Sequence, residues 1–179
     1  MNKRPAAIFV TGDRHVGKST LVARLAERER AQGRALAGVL AHGLWEDGIR
    51  SGFVLEDLST GTRTPLSRRV SPPGNGAPFA FQPGADEAIR RALAPARCLA
   101  AGVAVVDEVG RMELNGGGFA PLLAPLLALP VTHLWVVRTA FAADVAQAFS
   151  LSPICVDAAA PDALDRLSRL LDTSRGDLS

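Results

Sequence analysis

The sequence contains no tyrosine, and only two cysteines and two lysines among its 179 residues. The cysteines, Cys98 and Cys155, form no CxxC pair and are too few for a disulfide framework, so a reducing cytosol is the expected compartment. Lys3 and Lys18 are the lysines, and arginine supplies the rest of the 20 basic residues. This skew points to a GC-rich genome rather than a nucleic-acid footprint. A net charge of +2 makes no electrostatic case for nucleic acid or a membrane surface. With no lysine after Lys18, a guanine-specific N-K-x-D motif is absent, which disfavours a signalling GTPase. The most apolar window, 119–131, is too short for a bilayer and is interrupted by Pro121, Pro125 and Pro130. The N-terminal residues lack the apolar stretch and cleavage site of a secretory signal, so a soluble, cytoplasmic protein is expected. His42 and His133 are too isolated to suggest a metal site.

Length and composition fit one globular domain over 1–179, long enough to bury about 70% of its unfolded surface. Hydrophobic residues at 47% and charged residues at 21% exclude a mostly disordered chain. Short apolar runs alternate with helical patterns. Strands are expected at 6–10, 37–41, 103–107, 131–137 and 154–156. Helices are expected at 17–30, 85–93, 116–129, 141–149 and 161–171. The alternation predicts a three-layer α/β fold with a mainly parallel sheet. The stretch from about Gly43 to Pro83 is rich in glycine and proline. It reads as a β-hairpin, with strands over 49–58 and 63–66, followed by a flexible loop.

Gly12-Asp13-Arg14-His15-Val16-Gly17-Lys18-Ser19 matches G-x-x-x-x-G-K-[ST] in full, after an expected strand and before an expected helix. A chain curling around a phosphate must turn successive N–H groups inward, and glycine permits those turns. The helix opening near Gly17 directs its N-terminal dipole at the anion. Lys18 supplies a point charge for the β and γ phosphates, and Ser19 a hydroxyl for magnesium; Thr20 is suited to an α phosphate. Arg14 fits either a phosphate contact or a solvated surface role, while His15 is expected to shape the backbone.

Asp107-Glu108 ends the apolar run Val103–Val106, at the carboxyl edge of a parallel strand where α/β folds bind ligands. Asp107 fits a magnesium-holding role through water. Glu108, one residue on, is suited to orient or deprotonate a water. Arg138 ends another strand and Arg111 follows Gly110. Each fits either a cis arginine finger or an ordinary surface arginine. Glu113 is expected to pair with a nearby arginine. In the insertion, Trp45, Phe53, Phe79 and Phe81 suit base stacking and hairpin packing equally.

Thr11-Gly12, Gly17-Lys18-Ser19-Thr20-Leu21, Gly52-Phe53 and Asp107-Glu108-Val109-Gly110-Arg111-Met112-Glu113-Leu114 together resemble the small nucleoside-triphosphatases first described from thermophiles. The cancer-related nucleoside-triphosphatase of vertebrates belongs to the same family. The resemblance runs to about Asp157. It implies a RecA-like P-loop fold, magnesium, and slow hydrolysis of several nucleoside triphosphates, ATP and GTP among them, to diphosphate and phosphate. It implies that Lys18 and Ser19 hold phosphate and metal, with Asp107 and Glu108 as the acidic pair. The chain departs from the family where Arg14-His15 replaces a usual Pro-Gly. Arg138 stands where another polar residue is common, so no role carries over to it. Two other readings stand beside the hydrolase. One is a nucleotide-dependent adaptor contacting a protein partner, as in molybdenum-cofactor assembly. The other is a small-molecule kinase with Arg63, Arg68 and Arg69 on a mobile lid.

Overall fold

The structure, a computed structural model, describes residues 7–74 and 77–176, with side chains described for 7–71 and 78–176. Lys3, Ala6 and Gly76 lie outside the described residues. Strand β1 (Ala7–Thr11) leads through a turn into helix α1 (Lys18–Ala31). Four strands follow: β2 (Ala37–Glu46), β3 (Ile49–Asp57), β4 (Arg63–Gly74) and β5 (Ala77–Phe81). Helices α2 (Ala85–Ala92) and α3 (Pro95–Ala101) lead to β6 (Val103–Asp107). After it come α4 (Arg111–Leu114), α5 (Ala120–Leu127) and β7 (Thr132–Val136). A 3-10 turn (Thr139–Phe141), α6 (Ala142–Ala148), β8 (Ile154–Asp157) and α7 (Ala163–Gly176) complete the described chain.

All eight strands form one sheet in the order β5-β4-β3-β2-β6-β7-β1-β8. The pairs among β2, β6, β7, β1 and β8 are parallel, and those from β2 out to β5 are antiparallel. The middle strands are buried on both faces, which explains their continuous apolar runs. One face packs Ile8, Val10, Val105 and Val136 against Leu25 of α1 and Leu167 of α7. The other packs Phe9, Val106 and Trp135 against Ile89 of α2 and Leu123 of α5. Phe9 stacks on Trp135 at 5.9 Å, and Phe149 meets Trp135 edge-on at 5.3 Å. This is the expected three-layer α/β arrangement with a largely parallel central sheet.

Two local expectations need correction. The segment after the first hairpin is not a flexible loop, because β4 and β5 extend the sheet by antiparallel pairing. Prolines and glycines masked the pattern; they are tolerated near an edge, where fewer ladder bonds are required. The lid arginines consequently stand on a strand, with Arg63 paired to Glu56 and Arg68 to Glu46. β2 is also twice the expected length. It pairs with β6 only over 37–39, and its remainder projects past the parallel sheet to pair with β3. Gly38 makes the close approach to β6 possible: with φ near +117°, a Cβ there would fall 2.1 Å from the Val105 carbonyl oxygen.

At the far end of α1, the buried carboxylate of Glu29 accepts from Arg34 at 2.9 Å and also pairs with Arg175 of α7. Arg34 reaches Asp172 of α7 at 2.6 Å. Ionic contacts thereby add to the apolar packing of α7 against α1.

His133 on β7 is 1% exposed. Burial pushes its pKa from 6.5 down to about 4, opposed by the Leu129 backbone. The unfolded chain takes up this proton more readily than the folded one, so His133 costs stability as pH falls from 6.5 toward 4. Urea denaturation should show a loss of about 1 kcal/mol per pH unit in that window, beyond the loss in His133→Leu. Equal slopes in the two proteins would disprove the assignment.

Candidate functional site

The turn between β1 and α1 is a nest built around two glycines. Gly12 has φ near +148°, and a Cβ there would sit 2.4 Å from Val16 Cγ1. Gly17 adopts the left-handed conformation immediately before the first helical residue. His15 also has positive φ, which a histidine tolerates better than a β-branched residue. The turn leaves Asp13, Arg14 and His15 exposed, with Val16 packed against Gly12. Lys18 points back into the turn and is largely buried. Its ammonium donates to the carbonyl oxygens of Gly12 at 3.0 Å and Asp13 at 2.6 Å. Burial lowers the Lys18 pKa, with Arg138 acting in the same direction; Glu108, Asp107 and Asp13 oppose it.

Asp107 closes β6 two strands away from β1 and is 2% exposed. Its carboxylate accepts the Ala41 N–H of β2 at 3.1 Å and a hydrogen bond from the Ser19 side chain. Burial is the largest influence and raises its pKa to about 6; Glu108 raises it further, while Ser19, Ala41 and Lys18 pull it down. The acid is thus a strong acceptor short of positive charge. The next peptide bond, Asp107–Glu108, is cis. Glu108 is partly exposed, and its Oε1 accepts from Arg138 Nε at 2.8 Å.

Among the described residues Glu113 has no arginine partner, contrary to expectation. It is 6% exposed, and its two oxygens accept the N–H groups of Gly110 at 2.8 Å and Phe119 at 3.2 Å. It therefore ties the segment after the acidic pair to the start of α5. The bond from the Gly110 N–H to Glu113 is the half of a capping box that a glycine before the helix allows. The Arg111 guanidinium lies 5.6 Å from the Phe141 ring centre.

These groups line one cleft of about 1320 Å³ over the carboxyl ends of β1, β6 and β7. Arg14, His15, Gly17, Lys18, Ser19, Thr20, Asp107, Glu108, Arg111 and Arg138 all border it. Its other side is a wall formed by the projecting part of β2 together with β3, β4 and β5. Trp45 of this wall lies 5.9 Å from His15, centre to centre. Sequence periodicity offers no signal for the Ala41 N–H or the Arg138–Glu108 pair, since both depend on strand order.

The chain matches the family model described as NTPase over residues 7–156. It is 33% identical to the nucleoside-triphosphatase THEP1 of Thermococcus kodakarensis, over 75% of this chain and 77% of that protein. A THEP1 of Methanosarcina acetivorans is also 33% identical, over 79% and 81% of the two chains. The cancer-related nucleoside-triphosphatase homologue of Bos taurus is 32% identical over 70% of each. The solution structure of a human cancer-related nucleoside triphosphatase superposes with a TM-score of 0.70 at 24% identity, covering 96% of this chain and 98% of that one. THEP1 from Aquifex aeolicus superposes with a TM-score of 0.67 at 22% identity, covering 93% and 99%. With the phosphate-loop turn and the acidic pair on one sheet edge, these matches establish that the chain belongs to the THEP1/cancer-related nucleoside-triphosphatase family of P-loop NTPases.

Proposed function

We propose that this protein is a magnesium-dependent nucleoside-triphosphatase, hydrolysing nucleoside triphosphates such as ATP and GTP to diphosphate and phosphate, slowly and with broad base tolerance. One observation carries the reading: Ser19, in the first turn of α1, hydrogen-bonds the buried Asp107 while Glu108 borders the same cleft. The family relatives support the activity, since the THEP1 proteins are named as nucleoside-triphosphatases.

The Gly12–Gly17 turn and the α1 N-terminus provide N–H groups and a positive dipole end for the triphosphate. Thr20 borders the site for the α phosphate. The Lys18 ammonium exchanges its loop carbonyl partners for phosphate oxygens. Ser19 and Asp107 fit a magnesium ion, because a buried carboxylate short of positive charge sits against a hydroxyl, the hard oxygen donors this ion prefers. Among the described residues no group of three or more His, Cys, Asp or Glu side chains suits a metal, in keeping with an ion completed by phosphate and water. An ion held by Ser19 and Asp107 would supply positive charge to offset that of the triphosphate. Glu108 holds the water on the γ side and accepts its proton. The water oxygen bonds to the γ phosphorus as the bond to the β–γ bridging oxygen breaks, and that electron pair leaves with the diphosphate. Arg138 fixes one Glu108 oxygen and brings a positive charge beside the transferring group. Arg111, stacked on Phe141, holds the rim of the cleft.

No helix among the described residues is long and apolar enough to cross a membrane, and the cysteine usage suits a cytoplasmic enzyme. The near-neutral charge favours no nucleic-acid partner.

Phosphate release from ATP, GTP, CTP and UTP tests the assignment. Glu108→Gln should lower turnover about 100-fold or more while keeping nucleotide affinity within a fewfold of wild type. Unchanged turnover in this variant would remove Glu108 from the chemistry. Lys18→Ala should instead weaken Mg-nucleotide binding itself, read by titration of a fluorescent ATP analogue; wild-type affinity would overturn the loop assignment.

A further inference from the structure

The cleft is larger than the roughly 300–1,000 Å³ of a typical small-molecule pocket. The triphosphate site proposed above uses only its loop and acid side. In the strand order, β1, β7, β6 and β2 lie side by side. The acidic pair after β6 therefore emerges between the strand that carries the phosphate loop and the strand that begins the wall, while Trp45 at the tip of the wall also reaches His15 of the loop. In the hydrolase reading proposed above the γ phosphate faces the acids, and the nucleoside end is taken to extend toward β1 and β8, on the side of the sheet opposite β2. The space between Glu108 and the wall is then beyond the reacting phosphate, not beside the base.

That wall has a composition of its own. Arg50 lies with its guanidinium 4.2 Å from the Trp45 ring centre and 4.9 Å from that of Phe53. A Cβ on Gly43 would fall 2.2 Å from an Arg50 guanidinium nitrogen, so glycine at this position creates the seat for it. Arg69 lies 5.3 Å from the Phe79 ring centre and donates from Nε to the Arg50 carbonyl at 2.8 Å. Phe79 in turn meets Phe53 edge-on at 5.3 Å. The outward arginines of the same strands are neutralised, Arg63 by Glu56 and Arg68 by Glu46. Arg50 and Arg69 line the cleft and have no ion pair among the described residues. Burial already lowers the Arg50 pKa. Aromatic faces partly offset the cost of desolvating a guanidinium, and an anion offsets it more fully.

We propose that Arg50 and Arg69, held among Trp45, Phe53 and Phe79, form a second ligand site that takes a planar-ringed phosphate ester of the nucleoside monophosphate class beside the γ phosphate. The two guanidinium groups receive the phosphate and the rings receive the base. The proposal rests on the triphosphate orientation given above. It assigns the aromatic residues of the insertion to a second ligand rather than to the base of the triphosphate.

Calorimetric titration tests it on the whole protein. The triphosphate site is first saturated with magnesium and a non-hydrolysable ATP analogue, and AMP, GMP, CMP and UMP are then added separately. At least one should bind with one further equivalent, and the corresponding nucleoside lacking phosphate should bind at least about tenfold more weakly. Arg50→Ala and Arg69→Ala should each weaken the second event about tenfold or more, with folded circular dichroism spectra and unchanged affinity for the analogue. Absence of a second equivalent in the wild type would overturn the site. So would a second equivalent indifferent to both substitutions. Loss of analogue binding in folded Arg50→Ala would assign the pocket to the triphosphate's own base, overturning the second site and leaving the hydrolase reading intact. Failure of the wild type to bind the analogue would refute the triphosphate reading and this site with it.

Discussion

The hydrogen bonds that converge on Asp107 connect three separate parts of the chain. Its carboxylate ends β6, accepts from the backbone of β2 and meets the Ser19 side chain at the start of α1. An acid this buried is costly unless its lone pairs are satisfied, and each of those donors is delivered by a different crossover of the sheet. Moving any of the three elements would leave a buried carboxylate poorly solvated. The register of β2 against β6, which depends on Gly38, is therefore also a condition on the phosphate loop's surroundings. In the same way, the two backbone N–H groups held by Glu113 fix the chain that leaves the acidic pair.

Much of this was legible in the sequence where the determinants are local. The phosphate loop is written in eight consecutive residues, and its two glycines adopt the positive φ values that such a turn demands. The parallel strands announce themselves as unbroken apolar runs because helices cover both faces. The role of Glu113 was not legible, because its donors are backbone N–H groups of Gly110 and Phe119 rather than a side chain. A buried carboxylate with two backbone donors has no need of an arginine.

The remainder depends on partners far apart in the chain. The strands β4 and β5 carry prolines, glycine and serine in place of an alternating pattern, and only the pairing of β4 with β3 and of β5 with β4 makes them part of the sheet. Likewise, Arg50 and Arg69 are indistinguishable in sequence from Arg63 and Arg68. What separates the pairs is the carboxylates opposite them, which register alone determines. Arg138 and Glu108 stand thirty residues apart and meet only because β7 lies between β6 and β1.

The ionic cluster at Glu29 has a consequence for how the molecule opens. Both Arg34 and Arg175 converge on one carboxylate that has no access to water. Peeling the last turn of α7 away strips a partner from that charge while helix α1 is still folded over it, an intermediate that low dielectric makes costly. Terminal helices commonly fray independently of the body of a domain. Here the Glu29 contacts couple the end of the described chain to the helix that follows the phosphate loop, so fraying of the last turn of α7 carries a cost borne by α1.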